Sequence, residues 1–117
     1  MGKRSRRRGR EAEPLATSDY TDSAGNVLTL RDELSAGSVR KIRELDATPA
    51  SSAEDRWQRR GELLFERLAV RWTIHDLPLE GQKELLGRYR MADGDTRRWV
   101  RDTIDRHVRE RQPELAG

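Results

Sequence analysis

The sequence predicts a mainly α-helical protein, a small helical bundle with an N-terminal β-hairpin and a disordered basic arm. With 117 residues, the chain is long enough for one small domain. Only 33% of the residues are hydrophobic and 38% are charged, so the core must be thin. Apolar residues recur at three- and four-residue intervals over much of the chain, which is typical of amphipathic helices. We therefore divide the chain into a flexible basic arm, residues 1–18, and a single small helical domain, residues 19–112.

The arm is strongly basic, whereas the rest of the chain is mildly acidic. Its first ten residues hold six cations and no acid: Lys3, Arg4, Arg6, Arg7, Arg8 and Arg10. Because these carry +6 and the whole chain carries +3, the remaining residues carry a net charge of −3. Such an arm suits contact with nucleic acid or with an acidic protein surface. It is also typical of a solubilising tail at a chain end.

A β-hairpin is predicted at the start of the domain, in residues 19–30. Residues 20–21 can pair with residues 27–30, whose side chains alternate at the period of a strand. The segment between them is rich in turn-forming residues, and Gly25 and Asn26 both tolerate a positive φ. A two-stranded hairpin is only marginally stable by itself, so we expect it to pack on the helices.

A short helix follows the hairpin. It covers Val39 to Leu45, whose apolar residues share one face, and either Ser35 or Ser38 can cap it. Residues 46–53 then form a linker that contains a proline and two serines.

The main helix is predicted from Glu54 to Ile74. Its broad apolar stripe is typical of a central helix that is contacted from more than one side. Pro78 ends this region, because a proline disfavours helical backbone angles at the residue before it. The stripe consists of Trp57, Leu64, Phe65, Leu68, Ala69 and Trp72.

Two further helices are predicted after this break. One runs from Leu79 to Tyr89, and the other runs from Thr96 to Arg111 with Asp95 as its N-cap. The last helix has a clear amphipathic pattern. Its apolar stripe consists of Trp99, Val100, Thr103, Ile104, His107 and Val108.

The sequence contains no catalytic constellation, so we expect a protein that is not an enzyme. There is no cysteine, and there are only two histidines. His75 is expected at a helix end and His107 on the stripe of the last helix, where structural roles are the simplest interpretation. Two isolated histidines fall short of a metal site, and we expect no metal and no other cofactor. The apolar runs are also too short for a membrane span.

The aromatic residues allow two interpretations. Trp57, Phe65, Trp72 and Trp99 are expected to form the core, because so few other large apolar side chains are present. Alternatively, part of one helix face stays open as a groove. Such a groove would accept an apolar helix of a partner protein.

Short strings across residues 19–108 resemble tail assembly chaperones of long-tailed actinobacterial phages and prophages. One string is the segment from Leu30 to Gly37, which follows a short strand pair in that family. The others are a helix ending in a tryptophan like Trp72, a proline-containing break like residues 77–79, and an acidic turn like residues 93–95 before the terminal helix.

This resemblance implies a cytoplasmic helper that coats the tape-measure protein of a growing tail and is absent from the finished particle. Binding would occur by weak, repeated burial of apolar helix faces, which keeps it reversible. The candidate partner-binding residues are Trp57, Leu64, Trp72 and Trp99.

Two other functions remain open. The chain could be a structural protein of the virion, associated with the capsid or the tail, whose basic arm contacts its neighbours. It could also be a small nucleic-acid-binding regulator, although the net charge of −3 outside the arm argues against this class. We expect the protein in the host cytoplasm, or in the virion if the structural alternative holds. A homo-oligomer is compatible with all three functions.

Overall fold

The computed structural model describes residues 16–49 and 52–115, which fold into four strands and four helices. A β-hairpin is followed by two helices, and this order then occurs a second time. The elements are β1 (Thr17–Thr21), β2 (Val27–Arg31), α1 (Ala36–Ala47), α2 (Ala53–Leu68), β3 (Ala69–Ile74), β4 (Leu77–Leu79), α3 (Gln82–Met91) and α4 (Gly94–Arg111), with a 3₁₀ turn at Pro113–Leu115.

The predicted arm lies almost entirely outside the described residues. Residues 1–15 are among those that the structure does not describe, and this includes all six basic residues of the arm. Thr17 and Ser18, which we assigned to the arm, belong to β1.

The prediction of a mainly α-helical bundle is wrong, because the described residues form an α+β domain with a four-stranded antiparallel sheet. The main helix, predicted to reach Ile74, ends at Leu68, and residues 69–74 form β3. This segment is rich in β-branched and aromatic residues, which favour a strand. Its apolar positions 68 and 72 fit a helix, but positions 70, 72 and 74 fit a strand equally well. Pairing with β2 decides between the two patterns.

The strands lie in chain order, β1–β2–β3–β4, and each pairs antiparallel with the next. The predicted N-terminal hairpin is confirmed, since residues 17–21 pair with residues 27–31. Tyr20, Leu28, Trp72 and Leu79 are partners in successive strands, so their side chains share one face of the sheet. That face is turned to the core, because Leu28 and Trp72 are buried.

A tight turn joins β3 to β4 at His75 and Asp76. Their φ angles are 52° and 66°, and positive φ at both central residues is the mark of a type I′ hairpin turn. Asn26 Oδ1 accepts a hydrogen bond from the backbone N–H of His75 at 3.0 Å. The prediction that His75 ends a helix is therefore wrong. This residue turns the second hairpin and is tied to the turn of the first.

Phe65 lies in the core between two other aromatic rings. It stacks on Tyr89 with 4.8 Å between the ring centroids, and it meets Trp72 edge to face at 5.9 Å. Buried apolar residues come from the strands as well as from the helices, so the sheet and the helices share one core. The 3₁₀ turn adds Leu115 to this core, beyond the domain end that we placed at residue 112.

Side-chain caps fix the starts of three helices. Ser35, one of the two predicted choices, caps α1, and Ser52 caps α2. The N-cap of α4 is Asp93 and not Asp95 as predicted, since the Asp93 carboxylate accepts a hydrogen bond from the backbone N–H of Thr96 at 2.7 Å. This hydrogen bond lowers the pKa of Asp93.

Candidate functional site

Trp57 is the largest exposed aromatic side chain among the described residues. It lies near the start of α2, and 53% of its surface is open to solvent. Trp57 belongs to the same helical stripe as Leu64 and Leu68, which are buried. The apolar stripe of α2 therefore continues past the core and reaches the protein surface at this residue.

Arg101 of α4 covers one face of Trp57. The guanidinium carbon lies 4.1 Å from the ring centroid, which is the geometry of a cation–π contact. Gly61 lies beside this arrangement, since a Cβ at that position would be in ordinary van der Waals contact with Cδ of Arg101, at 3.4 Å. The Arg101 stem therefore lies against the backbone of α2 one turn after Trp57.

A small pocket with an apolar floor and charged walls lies on one side of this stacked pair. Its floor is made by Leu64, Ile104 and Val108, which belong to the core. Arg60 and Asp105 lie at its rim with Trp57 and Arg101, and the cavity has a volume of about 170 Å³. Arg60 is held in place by an ion pair with Asp46 at 3.1 Å.

A basic cleft lies on the other side of the same pair. It is lined by Arg90, Arg97, Arg98 and Arg101, together with Glu54 and Glu62. Arg90 pairs with Glu62 at 2.9 Å, and Arg98 pairs with Asp95 at 3.2 Å. The hydrogen bond to Glu62 raises the pKa of Arg90. Within residues 16–49 and 52–115, neither Arg97 nor Arg101 forms an ion pair.

One polar atom of this site is buried without a hydrogen bond. Nε of Arg101 is screened from solvent and has no acceptor in the part of the chain that the structure describes. A buried donor without an acceptor is costly. The stacked Trp57 ring offers the guanidinium a π face, but it does not satisfy this N–H.

The predicted partner-binding residues have different environments. Trp57 is exposed, and Trp99 is half-buried and packs against the core. Leu64 and Trp72 are 4% and 1% exposed, so both belong to the core, and Leu64 reaches the surface only at the floor of the pocket beside Trp57. Trp72 is buried because it lies on the inner face of β3, not on the outer side of a helix.

Sequence reasoning missed the residues that shape the site around Trp57. Arg97 and Arg101 are four residues apart on α4 and so lie on one face of it. That spacing was visible in the sequence, but the acids mixed among the arginines of α4 concealed it. The contact of Arg101 with Gly61 depends on how α2 and α4 pack, which no local pattern indicates.

His107 is buried and has two short hydrogen bonds. Its Nε2 lies 2.6 Å from the carbonyl oxygen of Arg31, and its Nδ1 lies 2.6 Å from the hydroxyl of Tyr20. A carbonyl can only accept, so Nε2 carries a proton, and in the neutral imidazole Nδ1 then accepts from the tyrosine hydroxyl. Both ring nitrogens are thus engaged in holding α4 to the first hairpin.

Groups of three or more potential metal ligands are absent from the described residues. In the same part of the chain, no helix has the length and apolar character needed to cross a membrane. Comparison of the chain with protein-family models, with curated proteins and with solved structures found no match.

Proposed function

We propose that this protein is a non-enzymatic assembly factor that binds a segment of a partner protein at Trp57. In this role it would resemble the tail assembly chaperones of actinobacterial phages, which bind the tape-measure protein while the tail forms. The observation that carries the proposal is the half-exposed Trp57 ring at the mouth of a pocket whose floor is apolar.

Tryptophan suits such a role for a physical reason. A large exposed ring loses much apolar surface when a partner covers it, and tryptophan is enriched among the residues that dominate binding energies. The pocket beside Trp57 is small, with a volume of about 170 Å³. A contact of this size gives weak and reversible binding, which is what a factor that must later be displaced requires.

The two alternatives depend more on the arm than on the pocket beside Trp57. A structural virion protein would use the arm to hold its neighbours and would remain in the finished particle. A nucleic-acid-binding regulator would also depend on the arm, because the net charge outside residues 1–10 is −3. The exposed Trp57 and the pocket beside it favour the assembly factor over both alternatives.

A pull-down of the tagged full-length chain from its native host tests the proposal. Two variants are compared with the unaltered chain: Trp57→Ala and, as a matched control, Leu77→Ala, since Leu77 is also apolar and 70% exposed. We expect a long helical protein to be recovered at low and at high salt and after nuclease treatment. The Trp57→Ala variant should lose it, and the Leu77→Ala variant should retain it.

Other results would favour the alternatives. Recovery of capsid or tail subunits that requires residues 1–10 would favour a structural virion protein, and the chain should then be found in finished particles. Recovery of nucleic acid that is released at high salt would favour a regulator. Equal recovery of the helical protein by both variants would contradict a role for Trp57.

A further inference from the structure

We propose that the groove beside Trp57, which consists of the pocket and the basic cleft together, takes an acidic amphipathic helix, with one apolar side chain in the pocket and its carboxylates on the basic cleft. This inference rests on the proposed function and deepens it, because it states the chemistry of the segment that the same site would bind.

The apolar part of the inference follows from the pocket. Its floor is made by the apolar side chains of Leu64, Ile104 and Val108, and charged side chains, including Arg60 and Asp105, surround this floor. Its volume of about 170 Å³ is close to the ~150 Å³ of an engineered apolar cavity that holds a benzene ring. One leucine or phenylalanine side chain is therefore of a size that fits this pocket.

The acidic part follows from the cleft. Of its four arginines, Arg90 and Arg98 already pair with carboxylates of the chain. Arg97 and Arg101 have no ion pair with any described residue, and they are four residues apart on α4. Like charges at this spacing repel each other and destabilise a helix. A carboxylate placed between them would remove this repulsion and would form charge-assisted hydrogen bonds.

The pocket and the cleft are adjacent, since Trp57 and Arg101 line both of them. The pocket contacts α4 over residues 101–108, and the cleft contacts it over residues 94–101. The centres of these two stretches are separated by about 10 Å along the helix, the rise of roughly seven helical residues. A helical occupant therefore carries its carboxylate about two turns away from its apolar anchor.

Other occupants fit these features less well. The basic arm of the chain itself would bring +6 within residues 1–10 towards an already basic cleft. Nucleic acid would match the cleft, but its phosphates would lie beside Asp102 and Asp105 at the pocket rim. An acidic helix places its charge on the arginines and only its apolar anchor near these carboxylates.

Three synthetic helical peptides test the inference against the full-length protein. Each has a central leucine and two charged or polar residues, one seven positions before the leucine and one seven positions after it. One of the two can therefore reach the cleft whichever way the peptide runs along α4. These residues are glutamate in the first peptide, glutamine in the second and lysine in the third. Binding is followed by calorimetry at low and at high salt.

We expect the glutamate peptide to bind most tightly and the lysine peptide most weakly. Replacing glutamate by glutamine should weaken binding by roughly 1.5-fold to fivefold, as expected for exposed ion pairs, and added salt should reduce this difference. Arg97→Ala should weaken the glutamate peptide but not the glutamine peptide. Arg106→Ala is the matched control, because Arg106 is an exposed arginine of α4 that lines neither the pocket nor the cleft.

Equal binding of the glutamate and glutamine peptides, or no effect of Arg97→Ala, would overturn the acidic part of the inference. Absence of binding of all three peptides to the unaltered protein would overturn the inference completely. The variants must keep the far-ultraviolet circular dichroism of the parent, so that a loss of binding does not reflect unfolding. A DNA duplex that binds and is lost in Arg97→Ala would also overturn the inference. The proposed function is judged separately, since it requires only that Trp57→Ala loses the partner protein recovered from the host.

Discussion

The hydroxyl of Tyr20 in β1 lies 2.6 Å from Nδ1 of His107 in α4, and the two rings meet edge to face. The second ring nitrogen of His107 donates to the carbonyl of Arg31 at the end of β2. One buried imidazole thereby connects the last helix of the chain to both strands of its first hairpin. This connection joins the two ends of the described chain and should matter for stability.

We expect Tyr20→Phe to destabilise the protein by about 1–2 kcal/mol, because it leaves the buried Nδ1 of His107 without a donor. Urea unfolding followed by circular dichroism measures the change in the free energy of unfolding. The control is the same substitution in a His107→Ala background, where no acceptor remains to be left unpaired. If Tyr20→Phe costs the same in both backgrounds, the hydrogen bond is not the cause of the loss.

The same tyrosine predicts a loss of stability at alkaline pH. Burial raises the pKa of Tyr20, and the nearby Glu110 carboxylate raises it further. An unfolded tyrosine titrates at about 10, so above this pH the unfolded chain binds fewer protons than the folded one. The contribution of Tyr20 is therefore complete below pH ~10 and is lost as the pH rises towards the folded pKa.

This alkaline effect is measured as a difference between two proteins. The free energy of unfolding of the unaltered chain should fall more steeply above pH ~10 than that of Tyr20→Phe. Parallel curves for the two proteins would contradict the prediction. Absorbance titration of the phenolate gives an independent check. Tyr20 should ionise at a higher pH in the folded protein than in the protein unfolded in urea.

Local patterns in the sequence identify part of the fold. The first hairpin was predictable because Gly25 and its neighbours form a turn between two alternating segments, and its pairing agrees with the structure. The amphipathic pattern of α4 was also predictable, because five residues of its stripe are buried. Both features depend on residues that are close in sequence.

The second hairpin was not predictable in the same way. Leu68 and Trp72 have helical spacing, and Trp72 and Ile74 have strand spacing, so periodicity alone is ambiguous. The tight turn at His75 and Asp76 lacks the glycine that usually marks a type I′ turn. Trp57 was named as a candidate from its aromatic character, but its exposure and its contact with Arg101 depend on the packing of α2 on α4.

The turn between β3 and β4 gives a test of this corrected assignment. Asp76 has a φ of 66°, a left-handed conformation that costs roughly 1 kcal/mol for a residue with a Cβ. Asp76→Gly should therefore stabilise the protein by up to about 1 kcal/mol, measured by urea unfolding. If Asp76 instead had right-handed helical backbone angles inside a helix, the glycine would be destabilising.

Asp95→Gly is the matched control for this substitution. Asp95 lies in the first turn of α4, is exposed and has helical neighbours on both sides. The same change of aspartate to glycine should destabilise the protein there, because glycine is unfavourable within a helix. Opposite signs at the two positions support the hairpin, whereas destabilisation at both positions would contradict it.

Gly87 offers a stabilising substitution in α3. It lies within the helix, and a Cβ at this position would meet nothing within 4 Å. Gly87→Ala should raise the free energy of unfolding by about 0.5–1 kcal/mol, because alanine loses less backbone entropy than glycine on forming a helix. Gly25→Ala is the control, since space is also open there but the φ of 88° is left-handed. Gly25→Ala should destabilise the protein by a similar amount. Urea unfolding measures both changes. A higher free energy of unfolding for Gly25→Ala, or a lower one for Gly87→Ala, would contradict the backbone angles on which these expectations depend.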